Sequence, residues 1–222
     1  MVRRRIDTYK TDGVIFEGDL NTARGFYNNY VKQNDYWEKT KKLRTILLIL
    51  SFLPPILILF TFKFDIIEDF YLYFMTAPIF FIIGFLLLYY LPTYNIKKKC
   101  TKDIHGYICP DICITDDSIS FLYTRVTPVD YHTGQSNGPD IAVDEKITFD
   151  KVQHVIYDNR FKTLEIKGNY YKIEHADYYS NPGNLRGVKG EHNTRKIFLA
   201  HKGRDMILNM LVEKLGNKMT FI

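Results

Sequence analysis

The sequence predicts an α+β protein in which a membrane-spanning helical hairpin is followed by a β-rich domain. Two observations carry this: a pair of long charge-free apolar runs, and a switch from helical to strand-like periodicity after them. The first run, Thr45–Phe62, holds 18 residues without a charge, and the second, Phe70–Leu91, holds 22. At about 1.5 Å of rise per residue, roughly 20 apolar residues cross the hydrocarbon core of a bilayer. Buried helices of soluble proteins seldom exceed about 10–14 uninterrupted apolar residues. The 44 residues ahead of the first run argue against a signal peptide. Five segments follow: 1–44 with a strand and an amphipathic helix, spans at 45–62 and 70–91, an external turn at 63–69, and a β-rich domain at 100–222.

In the first segment, Asp7–Phe16 contains a short strand-like stretch with a turn at Asp12-Gly13. Asp19 is placed to cap a helix. Leu20, Ala23, Phe26, Tyr27, Tyr30 and Val31 recur at three- and four-residue steps, which gives that helix one apolar face. Trp37, the only tryptophan, stands at the approach to the first span, where an interfacial anchor belongs.

Flanking charges set the expected orientation. Lys39, Lys41, Lys42 and Arg44 precede the first span, and Lys97, Lys98, Lys99 and Lys102 follow the second. The turn carries Lys63 against Asp65, Glu68 and Asp69, a net charge of −2. Short loops rich in Lys and Arg stay cytoplasmic, so both termini are expected on the inner side of the cell membrane. Trp37, Lys41, Lys42, Arg44, Lys97, Lys98 and Lys99 are therefore the candidate membrane-interface residues, and the bilayer is the first expected partner.

Pro54-Pro55 should kink the first span, and Pro78 and Gly84 punctuate the second. Neither span contains an ionisable residue, which argues against an ion or proton pathway within one chain. Thr76, Ala77 and Gly84 share a helical face that can take the other span or a second copy, and a homo-oligomer is expected.

Beyond the membrane, Ile108–Ile114 and Ser118–Thr124 alternate around a turn at Asp116-Asp117. Strand-like runs continue at Lys146–Phe149, Val152–Tyr157, Thr163–Lys167, Tyr170–Glu174 and Lys196–Ala200, with turns expected at Asp158-Asn159 and Gly168-Asn169. Met206, Ile207, Met210, Leu211 and Leu215 mark one amphipathic helix, stopped at Gly216. About seven antiparallel strands closed by one helix result. Two polar segments, Tyr131–Asp140 and Tyr178–Asn193, read as long loops. The second holds Arg186 and Lys189 among glycines, a candidate cradle for an anion.

Chemistry-bearing constellations are sparse. Cys100, His105, Cys109 and Cys113 lack the paired spacing of a zinc site. Three cytoplasmic cysteines do not make a disulfide framework, although Cys100 is placed for acylation at the membrane edge. His132, His154, His175, His192 and His201 have no partner at fixed offset, and no nucleophile, metalloprotease or phosphate-loop motif occurs. Asp116-Asp117 and Asp144-Glu145 read as turn carboxylates. Charge of +5 without a basic stripe gives no nucleic-acid footprint. No cofactor, metal or enzymatic activity is expected.

The order of elements, with Tyr9–Tyr30, the run ITFDKVQHVIYDNRFKTLEIKGNYYKI from Ile147 to Ile173, and the ending Ile197–Leu215, resembles the bacterial YcxB-like family. That resemblance implies a pleckstrin-homology-like cytoplasmic domain and a non-enzymatic, membrane-anchored binding or regulatory module, such as a scaffold or an immunity-type protein, with a protein partner. A second expectation is an antiphage-defence effector. In it a β-barrel senses a cyclic nucleotide, with Arg186 and Lys189 at the site, and the hairpin oligomerises to disrupt the membrane.

Overall fold

The computed structural model describes residues 13–61, 70–104, 109–125, 141–175 and 185–222. Its helices are α1 (Leu20–Lys32), α2 (Asp35–Lys39), α3 (Lys41–Leu50), α4 (Leu53–Thr61), α5 (Phe70–Gly84), α6 (Leu91–Cys100) and α7 (Arg204–Leu215). Its strands are β1 (Val14–Phe16), β2 (Asp111–Ile114), β3 (Ser118–Arg125), β4 (Ile141–Thr148), β5 (Val152–Asp158), β6 (Thr163–His175), β7 (Leu185–Phe198) and β8 (Met219–Phe221). The chain divides into a sheet unit, Met1–Tyr27 with Ile104–Ile222, and a helical unit, Asn28–Asp103. The fold is α+β. The expected external turn at 63–69, His105, and the segments 131–140 and 178–184 lie outside the described residues.

In the sheet unit, eight strands make one curled, half-barrel sheet in the order β1-β2-β3-β4-β6-β5-β8, with β7 also on β6. All pairs are antiparallel except β5 with β8. The curl follows from how β6 is shared. Its 13 residues pair along one edge with β7, while β5 takes 163–168 and β4 takes 171–175 on the other. Between β4 and β5 the chain makes a short 3₁₀ turn at Phe149–Lys151.

Gly168 sits opposite that turn. A Cβ there would lie 2.5 Å from the Lys151 carbonyl oxygen and 2.5 Å from Ile147 Cδ1. The expected turn at Gly168-Asn169 is therefore corrected: β6 runs straight through, and the glycine serves a close backbone approach. The length of β7 also differs from the expected Lys196–Ala200. A polar, glycine-containing segment forms strand here because β6 supplies the whole ladder, which local pattern does not reveal.

Alternation places Ile119, Phe121, Ile147, Val155, Leu164, Ile166 and Ile197 in one buried core with Ile207, Leu211 and Leu215 of α7. Each such side chain contributes about 1.5–3 kcal/mol by leaving water. Met206, expected on the buried face, is 53% exposed, because the face turns toward Leu208 instead, while Met210 packs against the core as expected. Gly216 ends α7 with φ of +50°, the left-handed backbone expected of a stop glycine. Asp19 caps α1 as expected: its carboxylate accepts from Asn21 N–H at 2.9 Å and Thr22 O–H at 2.7 Å. Ala23 and Val31 of α1 are buried, whereas Leu20 is exposed.

In the helical unit, the first apolar run is not one spanning helix. It breaks at Ser51-Phe52 into α3 and α4, and Pro54-Pro55 fall in the first turn of α4. There the missing N–H groups cost nothing, since helix starts leave them unbonded anyway. The second run continues past the expected Leu91 to Cys100, giving a helix over Phe74–Cys100 of 27 residues. Among the described residues it is the one helix long and apolar enough to cross a membrane. Its turns widen over Phe85–Tyr90 into π-helix, where Leu91 N–H donates to the carbonyl of Leu86. Pro92 follows directly; in a regular α-turn its ring would press on the carbonyl of Leu88.

Gly84 marks a close approach of the two apolar runs. A Cβ at Gly84 would lie 2.7 Å from Pro54 Cγ and 3.0 Å from the Ser51 carbonyl oxygen. Phe52 and Phe81 rings, 5.0 Å apart, close the same contact. At Gly84 the neighbour is thus the chain's own first run.

Candidate functional site

Two polar arrangements stand out, one in each unit. In the helical unit, Asn34 starts the first. Its Oδ1 caps α2 by accepting Tyr36 N–H at 2.9 Å, while its Nδ2 donates to the Cys100 carbonyl at 3.3 Å. The start of α2 is thereby tied to the end of α6. Thr40 Oγ1 donates to the Tyr36 carbonyl at 2.9 Å and to the Trp37 carbonyl at 3.1 Å, joining α2 to α3.

Arg44 then folds back along α3. Its Nη2 donates to the Trp37 carbonyl at 2.9 Å and its guanidinium lies over the Trp37 ring, 3.4 Å from the centroid. Lys97 Nζ lies 5.8 Å from the same centroid, and Lys99 Nζ is 5.9 Å from that of Tyr36. Cations over aromatic faces gain about 0.5–2 kcal/mol each, more as water is excluded. The structure thus gathers three of the sequence-predicted interface residues, Trp37, Arg44 and Lys97, into one collar. A fourth, Lys99, stands beside them over Tyr36, an aromatic not among the expected interface residues. Lys41, Lys42 and Lys98 are exposed at the same helix ends.

In the sheet unit, Glu145 and Arg195 form a buried ion pair, with Nε to Oε2 at 2.7 Å and Nη2 to Oε1 at 3.3 Å. Tyr123 O–H donates to Glu145 Oε1 at 2.7 Å, and Arg195 lies 5.4 Å from the centroid of Tyr170. Tyr170 stacks on Phe121 and donates its hydroxyl to the Ile166 carbonyl at 3.0 Å. Burial drives its phenol pKa well above the ordinary value, with Arg195 opposing. The reading of Asp144-Glu145 as turn carboxylates is therefore corrected: both are buried in mid-strand. The available signal was position, since Glu145 alternates with Val143 and Ile147 on one strand face, and an inward charge requires a partner.

The other candidate residues disperse. Arg186 and Lys189 lie on β7, with Lys189 directly across from Lys172 of β6, rather than in a glycine loop. The loop cradle for an anion is thus replaced by a strand ladder. Cys109 precedes β2 instead of lying on it, and its Sγ is 3.9 Å from the Ala200 carbonyl. Cys113 is buried in β2, and Cys100 is buried at the end of α6. His201, also buried, donates from Nε2 to the Pro110 carbonyl at 2.9 Å. His154 meets Thr220 at 3.1 Å across β5 and β8. Asp116-Asp117 does form the expected turn: hydroxyls of Thr115 and Ser118 hold the Asp117 carboxyl below its ordinary pKa. Among the described residues, no three His, Cys, Asp or Glu side chains cluster as metal ligands.

Compared with known proteins, the chain matches no family model, no curated protein and no solved structure.

Proposed function

We propose that this protein is a membrane-anchored, non-enzymatic binding module, its helical unit in the bilayer and its sheet unit offered to a protein partner. The observation that carries the reading is the collar of Trp37, Arg44 and Lys97 at one end of a strongly apolar pair of helical runs. Tryptophan and basic side chains concentrate where hydrocarbon gives way to headgroups. Beyond the collar the helices carry large apolar side chains outward: Ile49 is 63% exposed, Leu57 58%, Phe74 63% and Leu87 58%. A soluble unit would not leave so continuous an apolar surface in water.

In this reading both apolar runs cross the membrane as a hairpin, with the basic collar on the cytoplasmic side. Residues 1–27 and 104–222 then lie in the cytoplasm, and the sheet resembles a pleckstrin-homology-like module in its use. Regulation, scaffolding or immunity against a membrane-acting toxin all require such tethering. The test is alkaline washing of membranes from expressing cells, followed by cross-linking through exposed lysines of the sheet unit. Retention in the membrane pellet with one stoichiometric cross-linked partner is the expected result. Release by the wash overturns the anchor, and retention without any partner overturns the binding role.

A further inference from the structure

We propose that the collar is a binding site for the phosphate of an anionic phospholipid headgroup. The inference deepens the membrane reading above and rests on it. What points to an anion is the way the cations are held. Arg44 and Lys97 share the ring of Trp37, at 3.4 and 5.8 Å, and Lys99 stands over Tyr36 at 5.9 Å. Aromatic faces hold all three; among the described residues no carboxylate pairs with any of them, nor with Lys41, Lys42 or Lys98. In sequence the collar is flanked by Asp35 and Glu38 of α2 and by Asp103, whose carboxylate accepts Tyr30 O–H at 2.7 Å. Like charges gathered this closely repel unless an anion stands among them.

Arg44 is also oriented for the task. Its bond to the Trp37 carbonyl and its stacking on the ring fix the guanidinium plane, while its Nε is buried without a partner. The Nη1 hydrogens are engaged by no described residue. A planar fork held in place matches phosphate oxygens, whereas lysines add charge without geometry. Lys97–Lys99 occupy the last turn of the 27-residue apolar helix, so the site stands where that helix leaves hydrocarbon. A headgroup phosphate arrives at that depth, and the anionic cytoplasmic leaflet supplies it.

Trp37 is the only tryptophan in the chain, so its fluorescence reports the site directly. The full-length protein is reconstituted in vesicles of phosphatidylcholine and phosphatidylglycerol, with bromine quencher on the acyl chains of one lipid or the other. Brominated phosphatidylglycerol is expected to quench Trp37 more than brominated phosphatidylcholine at equal mole fraction. The excess should fall about fivefold in Lys97→Gln, which removes one cation and no backbone hydrogen bond. Arg44→Lys, which keeps the charge and loses the planar fork, should fall between that variant and the parent. Equal quenching by the two lipids overturns the headgroup site and leaves the membrane anchor standing. Absence of quenching by either overturns the anchor itself. Loss of the excess on adding inorganic phosphate shows that soluble phosphate is the ligand and overturns the lipid assignment.

Discussion

Arg195 donates from Nε to Glu145 Oε2 across 2.7 Å, joining β7 to β4 inside the curl of the sheet, 50 residues apart in sequence. Neither strand pairs with the other, so the two side chains bridge over β6. Leaving one member of a buried pair alone costs about 3–5 kcal/mol, whereas replacing both by apolar residues can be neutral. Glu145→Ala should therefore lower the denaturation midpoint sharply. A Glu145→Leu, Arg195→Met double variant should regain most of the loss. Additive losses in that double variant, followed by chemical denaturation, would remove the coupling.

Gly84→Leu should separate the two apolar runs. Its side chain would enter space held by Pro54 and the Ser51 carbonyl. Overpacking of this kind costs about 1–3 kcal/mol. The helical unit should lose thermal stability in detergent, and the sheet unit should keep its own transition. An unchanged helical transition contradicts the contact.

Stability of the sheet unit should fall in alkali. Burial raises the phenol pKa of Tyr170 and of Tyr157, so the folded state holds their protons more tightly than the unfolded state. A raised pKa contributes stability that is complete below the unfolded value, about 10, and is lost as pH rises above it. Urea midpoints of Tyr170→Phe should decline less between neutral pH and strong alkali than those of the parent. Equal declines count against this assignment.

Gly216→Ala should destabilise the end of α7 by backbone strain alone. A Cβ there meets nothing within 4 Å, yet φ is +50°. Left-handed backbone costs a non-glycine residue about 1–2 kcal/mol. A melting temperature equal to the parent's would show that the helix end relaxes.

Features set by near neighbours were legible in the sequence. Asp19 as a cap, Gly216 as a stop, the turn at Asp116-Asp117 and Ile207 with Leu211 and Leu215 as a buried face all follow from spacing of a few residues. The collar was legible as composition, in Trp37 and the flanking lysines, but not as geometry. Contacts between residues far apart in sequence, such as Asn34 with the Cys100 carbonyl, bring Trp37 to Lys97. Features set by distant pairing were missed. Gly168 reads as a turn until Lys151 is placed against it, and Arg186 and Lys189 read as loop until β6 offers a ladder. The widened helical turn before Pro92 likewise has no signature in apolar composition.

The central claim is that the collar marks the cytoplasmic face of a hairpin that crosses the membrane twice. Single cysteines at Ile66 and at Lys98, probed in intact cells with a membrane-impermeant maleimide, test it most directly. Cys100, Cys109 and Cys113 are buried and give little background. The account predicts labelling of Ile66→Cys from outside, and labelling of Lys98→Cys only after the cells are opened. Labelling of Lys98→Cys in intact cells would contradict it.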